Sequence, residues 1–594
     1  MTTISPRLSR IPKLYPPGGT HWLRLALFVL GGVCLVISAG CTSVSEYIDN
    51  GFKVGPNYQK PPAPVESEWI DSRSKGVNTA TADLSSWWSV FNDPVLNGLV
   101  EQAYRQNLDL RTAGARILSA RAVRNIAAGN LFPQLQQAAL DVIHHGASAN
   151  TPFAVAPRFF DDNIAQLNLA WEIDFWGRFR RAVEAADAEL DASIENYDDV
   201  LVLLIAEVAS TYVDIRVSQQ RLRFIAENVA IQTELVKQAE GRLKGGVGRL
   251  IDQGQMRSNL TDTLALREQF EIALRQSNNR LCVLLGIPVR DLIPELGDGP
   301  IPVAPPEVAV GMPTDLLRRR PDVRRAERLV AAQSARIGIA TSDLYPRFTL
   351  LGSLGYEAEN FSQLFSSKSF TGSIGPSVRW DILNYGRLVN GIALADAEFQ
   401  KKVTEYQSTV LRAGREVEDG IVLYLRSQSQ TRQLADSAKE AKIAAEEAVT
   451  LSKDVKFDLN RAFVTSNFLV GQEDKYAVAA GDIAQGLIQV YKALGGGWQI
   501  RCAPTAVANA IPGPTIKEMP PPNARIMQPM PKDAFTRAMY NSTKPAAAPA
   551  LARYEMPPET APSEITSPSS SSPRRATLGL PVAVANDQSG AHKN

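Results

Sequence analysis

Between Arg178 and about Lys244 the chain runs without a proline, rich in Ala, Leu, Glu, Gln and Arg, with apolar residues at helical spacing. As one helix this stretch would extend roughly 100 Å, at about 1.5 Å per residue. No compact globular domain holds such a rod. The molecule must therefore be elongated, with its long helices bundled against one another.

Four short segments between the helical stretches follow period two instead, as strands with one apolar and one polar face do. In "QLNLAWEIDF" Leu167, Leu169, Trp171, Ile173 and Phe175 alternate with Gln166, Asn168, Glu172 and Asp174. In "SIGPSVRWDI" Ile374, Val378, Trp380 and Ile382 alternate with Ser373, Ser377, Arg379 and Asp381. In "RFTLLGSLGY" Phe348, Leu350, Leu354 and Tyr356 line one side, with Leu351 on the other. The fourth segment, after Phe132-Pro133, is ambiguous, because Asp141 shares the phase of Leu135 and Ile143. The predicted strands cover 134–145, 163–175, 347–357 and 371–383.

The chain also repeats itself. "WEIDFWGR" begins at Trp171 and "WDILNYGR" at Trp380, 380 − 171 = 209 residues later. "ADAEL" at Ala186 returns as "ADAEF" at Ala395, and "LFP" at Leu131 as "LYP" at Leu344. "RLKGGVGRLID" (Arg242–Asp252) has a fainter partner in "TLSKDVKFDLN" (Thr450–Asn460). The order helix, strand, strand, long helix, tip, helix occurs twice, which reads as a tandem duplication. The first repeat covers 87–290 and the second 312–498, joined by a Pro-rich linker at 291–311. Trp171 and Trp380 then hold one structural position where strand meets helix, and Gly177 and Gly386 permit the sharp turn there. Four strands with open edges cannot stand alone. Closing a membrane barrel takes at least eight, so copies must associate; two would supply eight strands and three would supply twelve.

The ends have a different character. Arg7, Arg10, Lys13 and Arg24 precede an apolar run from Leu25 to Ile37 and then "SAGC", ending at Cys41. A basic start, a short apolar centre and small residues before a cleavage point form an export signal, placed at 1–40. Cys41 is the candidate acylation site, with simple cleavage or a retained anchor as the alternatives. A proline-rich extended strap follows at 41–86, and ordered structure is expected from near Trp87. Asp93-Pro94 reads as a helix start. From Gln499 to Asn594 prolines and serines dominate without any hydrophobic period, so disorder is expected there.

Composition argues against chemistry. Sixty-three Lys and Arg against 62 Asp and Glu leave a net charge of +1, with no bulk attraction for nucleic acid. Cys34, Cys41, Cys282 and Cys502 show neither metal spacing nor a disulfide framework. No nucleophile, base and metal set converges, so no enzyme and no cofactor are expected. "RRRPDVRRAER" is balanced by nearby acids and reads as structural or solvated charge. His144-His145 reads as a loop edge, since neighbours on a strand face opposite ways. "GREVEDG" reads as a solvated bundle face.

"VGPNYQKPPAP", "WWSVFNDPVLNGLV", "GMPTDLLRRRPDVRRAER", "LYPRF", the two Trp phrases, "EVEDG" and "YKALGGGW" together resemble the TolC-like outer membrane factor family. Within it they resemble the NodT-type efflux lipoproteins of tripartite RND pumps; the match covers about Val54 to Trp498. The resemblance implies an α+β membrane protein: a homotrimer whose twelve-stranded barrel in the outer membrane is continued by a helical barrel through the periplasm. It implies a periplasmic adaptor and an inner-membrane RND-type pump as partners, outer-membrane lipid around the barrel, and passive export of small toxic molecules. A duct for protein secretion and a pore-less coiled-coil scaffold are the rival readings. Gln166, Asn168, Glu172, Asp174, Ser377, Arg379 and Asp381 would face the lumen. By matching positions, Asp252, Asp454, Lys456 and Asp458 are gate candidates, and Gly246, Val247, Arg249 and Val455 would meet the adaptor. The tips depart from the family pattern: Leu243 and Leu451 replace tyrosines, Asp454 replaces a glycine, and Asn460 stands where an acid is common.

Overall fold

The computed structural model describes residues 43–80, 83–150, 157–454 and 456–502. The export signal, Cys41 and residues 503–594 lie outside that range, as does Val455.

The chain is built up well before Trp87. Helix α1 (Val44–Asp49) is capped by Ser43, and the two-residue strand β1 (Val77–Asn78) pairs in parallel with β4 (Val308–Ala309) in the linker. Val54, Trp69 and Leu84 are buried, and Trp69 Nε1 donates to Gly311 O at 3.0 Å. Single apolar residues among prolines carry no period, so the sequence gives no sign of this burial.

Helix α2 (Pro94–Gln106) starts with Asp93 accepting from the N–H groups of Val95 and Leu96. Helix α3 (Leu108–Gly129) is capped by Asn107, whose amide also donates to Leu284 O at 2.9 Å. Strands β2 (Leu135–Gly146) and β3 (Phe159–Ile173) lead into α4 (Arg178–Lys244), 67 residues without a break, and α5 (Leu250–Leu284) returns. After the short helices α6 (Ile293–Leu296) and α7 (Leu316–Arg319), the order recurs. Helix α8 (Pro321–Ser342), strands β5 (Arg347–Ala358) and β6 (Phe370–Arg379), the 65-residue α9 (Arg387–Leu451) and α10 (Leu459–Ala493) complete it. Among the described residues no helix is long and apolar enough to cross a membrane.

The main core lies where α2, α4, α9 and α10 meet, around Trp87, Ile205, Tyr212, Tyr406 and Tyr424, all under 2 % exposed. A smaller cluster ties the far ends of the long helices together through Leu235, Val236, Met256, Ala448 and Leu459.

The four long strands form one antiparallel sheet in the order β2-β3-β5-β6, leaving β2 and β6 as edges. Register settles the ambiguous strand. Leu140 pairs with Ala165 and Asp141 with Ile164, so Leu140 and Val142 share the face of Leu167, and Asp141 shares that of Gln166. Two strand limits differ from expectation by four residues: β3 begins at Phe159 rather than at 163, and β6 ends at Arg379 rather than at 383. Beyond Arg379 the Trp380 indole bonds back to Leu344 O at 2.9 Å, and the ladder stops.

Candidate functional site

The sheet segregates its side chains by chemistry. One face carries Leu167, Leu169, Trp171, Leu354, Ile374 and Val378 in register. Leu167 is 59 % exposed and Ile374 77 %, so among the described residues of the protomer nothing covers this face. A bare apolar surface of this extent needs another apolar phase against it. The opposite face carries Gln166, Asn168, Glu172, Ser353 and Ser377. Ser353 and Ser373 hydroxyls bond across the strands at 2.8 Å. Arg379 lies opposite Arg347 in register, and Arg347 is neutralised by Asp343 at 3.1 Å. At the loop end His144 and His145 fall on opposite faces, against Asp161 (2.5 Å) and Asp162 (3.8 Å) of β3.

Two residues assigned to the polar face lie elsewhere. Asp174 follows β3 and accepts from the N–H groups of Phe179 and Arg180 and from Arg180 Nε at 2.9 Å, which satisfies the start of α4. Asp381 follows β6 and is exposed on the connection to α9.

The repeated phrases build the same junction. Trp171 Nε1 donates to Leu131 O at 3.2 Å and Trp380 Nε1 to Leu344 O at 2.9 Å, the leading residues of "LFP" and "LYP". Gly177 (φ 82°) and Gly386 (φ 79°) turn strand into helix in the left-handed region. The surroundings differ. Around Gly177 the N-terminal strap closes in: Arg180 donates to Gly51 O and Phe52 O, Arg181 to Val54 O and Gly55 O, and Lys53 pairs with Glu184. At the second junction Tyr385 is 97 % exposed.

Midway along the bundle, the arginines of "RRRPDVRRAER" are structural. Arg324 meets Glu195 at 2.6 Å and Asp198 at 3.4 Å, while Arg501 also grips Asp198, which is fully buried. Arg320 bonds Asp322, Glu416 and Ala493 O, each at 2.8 Å. Glu416 and Glu418 therefore depart from a merely solvated face, since Glu418 accepts from Ile70 N at 2.9 Å. Apart from Asp322, these partners lie far away in sequence, and charge spacing alone gave no sign of them.

At the far end two turns lie side by side. Gly246 (φ 75°) turns the chain after α4, Val247 is exposed, and Arg249 precedes α5, with Asp252 in its first turn. In the second turn Asp454 accepts from Lys456 N and Asp458 from Asn460 N, each at 3.0 Å. Asp252, Asp454, Lys456 and Asp458 make no ion pair among the described residues of the protomer. The residue that joins the turns is Arg242: its guanidinium donates to Phe457 O (2.8 Å), Ser452 O (2.7 Å) and Asp454 O. Sequence reasoning missed it, because its acceptors are backbone carbonyls.

An amphipathic sheet with an uncovered apolar face, set on helices about 100 Å long, fits the class of outer-membrane channels. Among the described residues no group of His, Cys, Asp and Glu could hold a metal. The chain belongs to the outer membrane efflux protein family, whose model matches residues 99–287 and 312–496. It is 31 % identical to nodulation protein T of Rhizobium leguminosarum bv. trifolii over 67 % of this chain and 83 % of that one. It is 30 % identical to the pyoverdine export outer membrane protein OpmQ of Pseudomonas putida, over 70 % and 88 %. Among solved structures the outer-membrane channel OprN superposes with a TM-score of 0.70 at 32 % identity, covering 75 % of this chain and 99 % of that one.

Proposed function

We propose that three copies of this chain, each a tandem duplication, close a twelve-stranded barrel and a helical tunnel that passively carries small toxic molecules out of the cell. The observation that carries the reading is the sheet: four strands, one bare apolar face, one polar face and two open edges. Lipid would cover the apolar face, and sister strands would satisfy β2 and β6. Gln166, Asn168, Glu172, Ser377 and Arg379 would keep the lumen wet. The relatives include a solvent efflux and a toluene efflux outer membrane protein of Pseudomonas putida, which supports small apolar cargo.

A periplasmic adaptor would meet the tips at Gly246, Val247, Arg249 and Val455, with an inner-membrane pump beneath it that supplies the energy. Asp252, Asp454, Lys456 and Asp458 would ring the entrance, where charge on one protomer finds its partner on the next. Acylation of Cys41 would tether the strap beside the first junction, and a relative in Salmonella typhimurium named as a probable outer membrane lipoprotein supports that.

Planar-bilayer recording of the detergent-purified protein tests the conduit. Discrete conductance steps are expected, and silence at every protein concentration would remove the reading. Crosslinking in cells followed by identification of the captured inner-membrane protein separates a pump from a protein-secretion ATPase.

A further inference from the structure

A cavity of about 290 Å³ lies between α4, α5 and α10. The helices come close beside it because residue 481 is glycine: a Cβ there would collide with the Val217 side chain. Asp214 and Ser218, one turn apart on α4, line the cavity, and Asp482 and Gln485 line it from α10. Gln485 Nε2 donates to Asp214 Oδ1 at 2.9 Å and to Ser210 O at 3.0 Å, which fixes that carboxylate. The second oxygen of Asp214 carries no bond, and Asp482 has neither a hydrogen bond nor an ion pair among the described residues. Ser218 is 5 % exposed, and its hydroxyl has no partner either. A buried polar group of that kind is costly unless something bonds it. Arg221 also lines the cavity, but Asp474 holds it at 2.6 Å and it lies over the Phe270 ring. Burial pushes the carboxyls of Asp214 and Asp482 up, and no cation opposes the rise at either.

We infer that this cavity binds a short aliphatic diamine, with Asp214 and Asp482 taking its two ammonium ends and the Ser218 hydroxyl accepting a further bond. An ammonium group is a donor only, and the free oxygens of this cavity are acceptors. Between the polar groups the wall is made by Val217, Ala273 and Val478, which suit a chain of methylenes. The same wall suits a metal ion poorly, since hard divalent cations take a shell of about six oxygens. Among the described residues no three of His, Cys, Asp and Glu converge to hold one. The volume is at the lower end of the range for ligand sites, roughly 300–1,000 Å³, which fits a short chain and excludes a drug-sized molecule. This site goes beyond the channel reading and stands without it.

The test is isothermal titration calorimetry of the detergent-purified full chain with 1,4-diaminobutane at low ionic strength. The diol 1,4-butanediol serves as the neutral control and magnesium chloride as the ionic one. Saturable binding of the diamine is expected, with no saturable heat from the diol or from magnesium at the same concentrations. Asp214→Asn and Asp482→Asn are each expected to weaken binding by about tenfold, and Ser218→Ala by about threefold. Asparagine keeps the shape of the side chain, and circular dichroism with native gels checks that each variant folds; should one fail, the other two decide. A parent that shows no saturable diamine binding overturns the site. Parental affinity in the folded variants places the diamine elsewhere and also overturns it. Magnesium that binds as tightly and displaces the diamine reassigns the acids to a metal and overturns the amine. The titration needs no conduction, so a silent bilayer would remove the channel and leave this result untouched.

Discussion

Gly177 and Gly386 stand at matching points of the two phrases with nearly the same backbone angles, yet only one of them is crowded. A Cβ at Gly177 would lie 2.9 Å from the Lys53 backbone, whereas at Gly386 it would meet only the Asn390 amide at 3.5 Å. Gly386→Ala is therefore expected to cost about 1 kcal/mol, the left-handed penalty alone. Gly177→Ala should cost clearly more and should detach the strap. Thermal unfolding ranks the two, and limited proteolysis within residues 51–55 reports the detachment. Equal costs, with the strap still protected, would mean that the strap does not depend on this contact.

Where α8 meets α4, α9 and α10, charge holds element to element. Arg320 is buried and satisfies Asp322, Glu416 and the carbonyl end of α10 at once. Arg320→Ala leaves carboxylates without their partner and should cost about 3–5 kcal/mol, read as a lower denaturant midpoint. Asp199 on the same seam behaves differently. Burial pushes its carboxyl up from 3.8 to about 6, Asp322 adds to the rise, and Arg325 opposes it. An acid whose native pKa exceeds its unfolded value gains a proton on folding. Stability is therefore lost as pH rises from 3.8 through about 6, and the whole penalty persists above that. Asp199→Asn should raise the melting temperature near neutral pH by the equivalent of at most about 3 kcal/mol. The difference from the parent should vanish as the pH is lowered below the ordinary aspartate range.

For the whole molecule the decisive division is between the two faces of the sheet. Leu167 and Asn168 are consecutive on β3 and lie on opposite faces. Leu167→Lys puts a charge against lipid, at a cost of about 2–4 kcal/mol near the bilayer midplane. Asn168→Lys puts the same charge into the proposed lumen and should assemble normally while changing ion selectivity. Outer-membrane fractionation and the reversal potential in a salt gradient distinguish them. Equal membrane assembly of both would remove lipid from the apolar face.

The local periods were legible in the letters alone. Alternation in "QLNLAWEIDF" marks a two-faced strand, and the unbroken pattern from Arg178 marks a long helix, because each needs only neighbours in sequence. The doubled tryptophan phrase likewise marked two junctions, and in each the indole bonds the same kind of carbonyl. Other features waited for the tertiary structure. The phase of β2 came from its register with β3, and the role of Asp174 from the helix start it caps. The strap's burial and the grip of Arg242 join groups more than one hundred residues apart. A side chain bonded to a distant backbone carbonyl leaves no pattern in sequence, since every residue offers the same acceptor. Only the fold decides which carbonyl is in reach.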